Sequence, residues 1–329
     1  MSAQDDQHRL LQRLAHGPAS GADLARELGC TRSAVWKRVE ALRAAGVEID
    51  ALAGRGYALA RPLRLLDAAS ILAALPADAR AALADLQLHF DIDSSNALAL
   101  REPVPERGCR VFLCERQRAG RGRRGRTWAS PLAAHLYLTV SRRFDGGIAA
   151  LQGLSLAVGV AVAEALHDLG YAGVGLKWPN DLYAGGRKLG GILIEIGGEA
   201  GGPVRAAIGL GLNVAMPTAA AQGIDQPWCD LAMLREGTVP DRNTIAAAVL
   251  GRLLPALARF AQHGLGIFMD EWARFDVLAG QAVRVFDAGG EQEGIALGVA
   301  ADGALRVAQA QGEVRFHSGE VSVRAAWTG

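Results

Sequence analysis

Residues 120–128 read Gly-Arg-Gly-Arg-Arg-Gly-Arg-Thr-Trp. Three glycines (Gly120, Gly122, Gly125) let the backbone approach a ligand, because they tolerate conformations closed to residues with a Cβ. Arg121, Arg123, Arg124 and Arg126 carry forked donors suited to carboxylate or phosphate oxygens. With Arg116 and Arg118, six of the eleven residues from 116 to 126 are cationic. Interleaved glycines have no use on a merely solvated face, so the segment reads as a loop that folds over an anion.

The spacing matches the dinucleotide fingerprint G-x-G-x-x-G, with Asp145 twenty residues beyond the last glycine. That fingerprint must open a helix, whereas here Pro131 and an apolar strand over 136–140 follow. The V-A-I-K and H-R-D elements of a kinase are missing, as is the G-x-x-x-x-G-K-[ST] phosphate loop. Dinucleotide, kinase and P-loop folds are therefore excluded.

A chain of 329 residues, 50% hydrophobic and 21% charged, accommodates two or three globular domains. No apolar run approaching the roughly 20 residues of a membrane span is evident, and no secretory signal is visible at the N-terminus. Cys30, Cys109, Cys114 and Cys229 show no metal or disulfide spacing, so reduced thiols in the cytoplasm and no membrane association are expected. Net charge is only +1, and Lys37, Lys177 and Lys188 are the three lysines among 35 basic residues. Where lysine persists amid so much arginine, a compact point charge is required.

Residues 1–65 read as a winged helix-turn-helix. Helices are expected over 8–15, 21–28 and 32–45, the second and third capped by Ser20 and Thr31 and separated by Gly29. The third is the reading helix. Thr31, Arg32, Ser33, Trp36, Lys37 and Arg38 are its candidate DNA contacts. Strand-like segments around Gly54-Arg55-Gly56 form a wing with Arg55 at its tip. A lone domain of this size binds weakly, so a dimer on paired half-sites is expected.

From about residue 83 strands alternate with helices, giving a mixed α/β domain over 66–275. Strands are expected at 86–92, 111–114, 136–140, 192–196 and 206–210. A small-residue helix is expected at 151–169, with Gly153, Ala157 and Ala161 at its packing surface. Helices at 244–262 and 268–275 follow. Residues 276–329 alternate short strands with turns, including the Asp302-Gly303 hairpin signal, which suits a small SH3-like β-barrel.

The arginine loop with Trp128 and Pro131, Lys177-Trp178-Pro179-Asn180-Asp181, and Arg187-Lys188-Leu189-Gly190-Gly191-Ile192-Leu193 together resemble the biotin protein ligases. With the winged helix in front, the chain resembles the bifunctional ligase–repressors along nearly its whole length. The resemblance implies a class II synthetase-like catalytic fold that uses biotin, ATP and Mg²⁺. It implies formation of biotinoyl-5′-adenylate and transfer of biotin to a lysine of the biotin carboxyl carrier protein of acetyl-CoA carboxylase. It also implies operator DNA as a partner and a homodimer when adenylate is bound.

The same resemblance distributes roles. Lys188, Arg123 and Arg121 would be catalytic. Ser94, Ser95, Asn96 and Gln117 would grip the ureido end of biotin, with Gly120, Arg121, Gly122, Arg123, Lys188 and Gly191 completing that site. Arg121, Arg126, Lys177, Asn180, Asp181, Asn213 and Trp228 would face ATP or the adenylate, with Trp228 stacking on adenine and Asp181 on the Mg²⁺ side. Position 95 is Ser where the family more often has Thr, and position 118 is Arg where relatives often carry Gln, so Arg118 receives no role. Two alternatives stay open: a biotin-sensing transcription regulator without catalysis, and a lipoate-type ligase. Lys188→Ala is expected to abolish transfer of biotin. Lys37→Ala should spare transfer and weaken DNA binding, as measured by carrier mass gain and by DNA mobility shift; the reversed pattern refutes the domain assignment.

Overall fold

The computed structural model describes residues 3–198, 202–235, 238–287, 290–317 and 322–325. The first domain comprises helices α1 (Ala3–Ala15), α2 (Gly21–Glu27) and α3 (Arg32–Ala44), then strands β1 (Ile49–Leu52) and β2 (Gly56–Leu59). The caps form as the sequence suggests. Ser20 Oγ accepts from the Asp23 amide and Thr31 Oγ1 from the Ala34 amide, each satisfying an otherwise orphaned N–H. Gly56, at φ 94°, lies so close to the α1–α2 connection that a Cβ would sit 2.2 Å from the Ala19 carbonyl oxygen. The wing is therefore sewn to the helices by paired Ala19–Tyr57 backbone bonds.

Leu10, Leu11, Leu24, Val35, Val39 and Leu42 form the core of this domain, and Leu132 and Ala133 of the next domain join it. The Leu132 amide donates to the Ala45 carbonyl at 3.2 Å. The first two domains thus share one apolar cluster.

Next come α4 (Ala68–Ala74), α5 (Ala77–Ala82), β3 (Leu83–Ile92), α6 (Ser95–Arg101), β4 (Cys109–Gln117), β5 (Leu136–Phe144) and α7 (Leu154–Asp168). They are followed by β6 (Val174–Lys177), β7 (Asp181–Ala184), β8 (Arg187–Gly197), β9 (Val204–Leu212), α8 (Arg242–His263) and α9 (Met269–Phe275). The strands make one mixed seven-stranded sheet, ordered β3-β4-β5-β9-β8-β7-β6, in which β3 and β4 are parallel and every other neighbour antiparallel. Val111 and Leu113 face the main core with α7 and α8, while Phe112 and Ala207 face α6. The opposite faces of β4 follow from the two-residue period of a strand.

Two expectations are corrected. Gly153 does not pack inside the helix: it is the left-handed residue before α7, at φ 76°, where a Cβ would meet Leu265. Two helical stretches, Ile148–Asp168 and Arg242–His263, do have the length and apolarity of a membrane span. In this fold α7 and α8 pack against each other, with most of their large apolar residues buried in the core.

The last domain is a five-stranded antiparallel sheet, ordered β13-β12-β11-β10-β14. It runs through β10 (Ala282–Asp287), β11 (Gly290–Val299), β12 (Leu305–Gln309), β13 (Gly312–Phe316) and β14 (Ser322–Ala325). Val283, Val285, Leu305, Val307 and Phe316 belong to the same apolar cluster as the catalytic core. The Trp178 indole N–H donates to the Gly303 carbonyl at 3.0 Å, tying the sheet to the Lys-Trp-Pro segment.

One buried charge pair joins the pieces. Glu115, 1% exposed, lies 2.7 Å from the Arg242 guanidinium and accepts a 2.6 Å bond from the Leu66 amide of the interdomain connection. Removing one partner strands the other charge in the interior, which typically costs about 3–5 kcal/mol. Glu115→Ala is expected to lower the unfolding free energy by that order in urea titration; a loss under about 1 kcal/mol would mean that the pair is dispensable.

Candidate active site

A cavity of about 880 Å³ opens on the α6 face of the sheet, beneath the arginine loop. Its lining includes Ser94, Ser95, Asn96, Gln117, Arg121, Gly122, Arg123, Arg126, Lys177, Asn180, Asp181, Lys188, Gly191, Asn213 and Trp228. Residues spread over more than a hundred positions in sequence therefore converge on one space.

One end is a closed polar cluster. Ser94, in extended conformation, caps α6. The Ser95 hydroxyl and amide both donate to Gln117 Oε1, at 3.0 and 2.9 Å. Thr139 Oγ1 lies 2.7 Å from both Ser95 Oγ and Asn96 Oδ1. Asn96 Nδ2 donates to the Leu193 carbonyl at 3.0 Å and to Glu195 Oε2 at 2.9 Å. Gly209 is forced by this packing, since a Cβ there would lie 2.3 Å from Asn96 Oδ1. Such a network presents fixed donors and acceptors to a small polar group.

The other end is cationic. Lys188 sits beside an irregularity in the β7–β8 ladder, where Tyr183 pairs with Lys188 but Leu182 with Gly190. Bulges of this kind re-aim a side chain. Lys188 Nζ meets Asp181 Oδ1 at 2.7 Å and lies 5.7 Å from the centre of the Trp128 ring. Its backbone is gripped by the Pro227 carbonyl and the Cys229 amide. Lys177 Nζ donates to the Tyr183 hydroxyl at 3.1 Å; burial pushes that phenol up to about 12, which keeps it neutral beside the cation.

The arginine loop closes on itself. The Gly122 amide donates to the Arg126 carbonyl at 2.7 Å and the Trp128 amide to the Gly120 carbonyl at 2.9 Å. Arg124 and Gly125 take consecutive left-handed conformations at φ 57° and 71°. Gly120 lies against Trp128 and Ser130 with no room for a Cβ, whereas a Cβ at Gly122 makes only ordinary contacts. Arg123 donates to Asn180 Oδ1 at 3.0 Å, and Arg121 to Glu195 Oε2 at 3.1 Å. Burial pulls the Arg123 guanidinium down and nearby Asp181 opposes this, yet a guanidinium stays charged at any physiological pH. Arg126 remains exposed at the rim.

Trp228 is partly exposed on the cavity wall and bridges to the Lys188 backbone. Asn213 is buried and donates to the Cys229 carbonyl at 3.0 Å, so much of its work is to hold the 227–229 segment. Asp181 and Asp225 are the carboxylates among the lining residues, and no group of three metal-type ligands occurs among the described residues. One or two carboxylates suit Mg²⁺, which keeps most of its waters and takes substrate phosphates. Sequence reasoning missed Thr139 and Glu195, which hold Ser95 and Asn96 from outside the lining, and the role of Trp128; nothing in an apolar strand pattern marks a buried threonine as part of such a network.

In the winged domain Thr31, Arg32, Ser33, Trp36, Lys37 and Arg55 are exposed, Trp36 by 54%. Arg38 departs from the expectation. It turns inward to pair with Asp6 and reaches Cys30 Sγ at 2.8 Å, so it is occupied within the chain.

A model of the biotin/lipoate A/B protein ligase family matches residues 100–213. A helix-turn-helix domain matches 7–58, and the biotin protein ligase C-terminal domain matches 279–324. The bifunctional ligase/repressor BirA of Escherichia coli is 38% identical over 320 residues, covering 97% of each chain. The chain belongs to the biotin protein ligase family. Another relative, the biotin–[acetyl-CoA-carboxylase] ligase of Mycobacterium tuberculosis, is 37% identical over 58% of this chain and 69% of its own. Among solved structures, the biotin protein ligase of Aquifex aeolicus in complex with biotin and ATP matches with a TM-score of 0.62 and 25% identity, over 74% of this chain and all of that one.

In this ligase, Gly209→Ala is expected to displace Asn96 and weaken the polar end of the cavity. Overpacking typically costs about 1–3 kcal/mol, so the Kd for biotin in isothermal titration should rise by roughly tenfold. An unchanged Kd would remove Asn96 from the site.

Proposed function

We propose that this ligase activates biotin with ATP and attaches it to a lysine of a biotin carboxyl carrier protein, while its winged helix makes it a biotin-responsive repressor. In the first step a biotin carboxylate oxygen attacks the α-phosphorus. The bond from that phosphorus to the β-phosphate bridging oxygen breaks, and pyrophosphate leaves. In the second, the carrier lysine amine attacks the acyl carbon of the biotinoyl-5′-adenylate, and AMP leaves. Both reactants of the first step are anions, so the chief demand is neutralisation by groups that do not themselves react.

The observation that carries this reading is the cationic end of the cavity. Lys188, held by Asp181 and gripped along its backbone, faces the same space as Arg123 on the loop. Arg121 and Arg126 add charge at the loop, and Lys177, Asn180, Asn213 and Trp228 line the nucleotide side. Ser94, Ser95, Asn96 and Gln117 suit a ureido group, which needs an acceptor for its N–H bonds and donors for its carbonyl. Bound Mg²⁺ would spread phosphate charge; Asp181 is the residue suited to hold it, sharing its carboxylate between metal and Lys188. A loop that opens and closes over the adenylate protects it from water.

A homodimer on paired operator half-sites fits the exposed reading helix. Beyond residue 192, β8 has no strand partner on its β7 side among the described residues. This free edge is suited to strand addition by a second copy or by a carrier. A cytoplasmic location follows from the DNA and carrier partners.

The test is to incubate the protein with ATP, Mg²⁺, a carrier domain and either biotin or lipoate, and to weigh the carrier. A mass gain with biotin alone is expected. Gain with lipoate instead, or no gain while biotin still alters DNA binding, would replace this reading with a lipoate ligase or a non-catalytic sensor.

A further inference from the structure

Two arginines of the loop reach different elements, and these two partners differ in kind. Arg123 meets the neutral Asn180 amide, whereas Arg121 meets a carboxylate, that of Glu195 on β8. Glu195 Oε2 takes a second donor as well, Asn96 Nδ2 at 2.9 Å. A single oxygen therefore links the lid to the wall of the polar end. Asn96 has little freedom to yield, being fixed by Thr139 at 2.7 Å, by the Leu193 carbonyl at 3.0 Å, and by the bare Cα of Gly209.

On the loop side, Arg121 stands at the stem of the hairpin. It bridges to Thr127, and the next residue's amide closes the Gly122–Arg126 turn. Anchoring the Arg121 side chain therefore anchors the stem, while the tip at Arg124-Gly125 contributes nothing to this bond. The pair is only partly shielded, with side-chain exposures of 46% for Arg121 and 26% for Glu195. An ion pair at such exposure holds weakly. A clasp of that strength lets the loop open for ligand entry and still favours the closed seat.

We propose that Glu195 is a positioning residue for biotin activation. Its carboxylate seats the arginine loop against Asn96, so that the wall gripping the ligand and the lid covering it share one reference point. The proposal rests on the assignment of Ser94–Asn96 and Gln117 to the ureido end. Glu195 touches neither reacting atom; it acts through Arg121 and Asn96.

Glu195→Gln separates its two bonds. The amide oxygen still accepts from Asn96, but the charge that attracts Arg121 is gone. The expected result is a KM for biotin raised about two- to fivefold, the range of an exposed ion pair, with KM for ATP and kcat little changed. Trypsin should cut the loop of the unliganded full-length variant faster by a similar factor, with cut sites mapped by mass spectrometry. Arg121→Gln should raise cleavage as well, and the double variant should show less than the product of the two effects, because the same bond is lost once. Unchanged cleavage with an unchanged KM for biotin would overturn the proposal. So would a lowered Tm with parallel losses toward biotin and ATP, the pattern of a purely structural glutamate. The cleavage arm does not depend on turnover: if the wild-type protein fails to biotinylate, the ureido assignment falls while the clasp is still tested.

Discussion

Glu115 holds the molecule's parts in register. Its carboxylate lies in the interior at the point where the interdomain connection, β4 and the start of α8 meet. A buried charge needs a partner and further hydrogen bonds, and these come from Arg242 and the Leu66 amide. Arg242 in turn donates to the carbonyls of His135 and Arg64. Two residues after Glu115, β4 ends at Gln117 and the arginine loop begins. The Ala133 amide, where the chain returns from the loop, donates to the Glu115 carbonyl at 2.9 Å. Both ends of the lid are thus rooted in one ionic junction, and the freedom of the loop is confined to its middle.

The cavity divides the chemical work along its length. At the polar end Ser95 and Asn96 are held by bonds to Gln117, Leu193 and Glu195, which makes that surface rigid and preorganised. At the cationic end the partners are exchangeable. Asp181 occupies Lys188, and Asn180 occupies Arg123. An incoming anion can take Arg123 over from a neutral amide, which leaves no charge behind on Asn180. A rigid polar end and replaceable pairing at the cationic end suit a two-anion condensation.

Much of this was legible in the sequence, for physical reasons that can be named. Ser20 and Thr31 announced helix starts because caps act locally, and the arginine loop was recognisable because glycine and arginine have few structural uses in that density. Helices α4 and α5 went unnoticed: two short alanine-rich turns broken by Pro76 carry almost no periodic signal. Arg38 is a candidate DNA contact by helical position alone, and its pairing with Asp6, thirty-two residues away, is a tertiary fact. Thr139 looked like one more strand residue between Leu138 and Val140. Glu195 acquires meaning only when β8 is laid beside α6 and the loop. Local chemistry was visible; long-range pairing was not.

The indole of Trp178 gives the last domain a standing that its sequence does not suggest. This side chain is 1% exposed and ends on the Gly303 carbonyl, while two residues further on Asn180 takes up Arg123. The terminal sheet is therefore a foundation stone under the Lys-Trp-Pro-Asn-Asp segment. A chain shortened before residue 276 would bare an apolar wall and leave an indole donor without its acceptor. What looks from its length like a detachable appendage is, mechanically, a part of the floor on which the cationic end of the cavity stands.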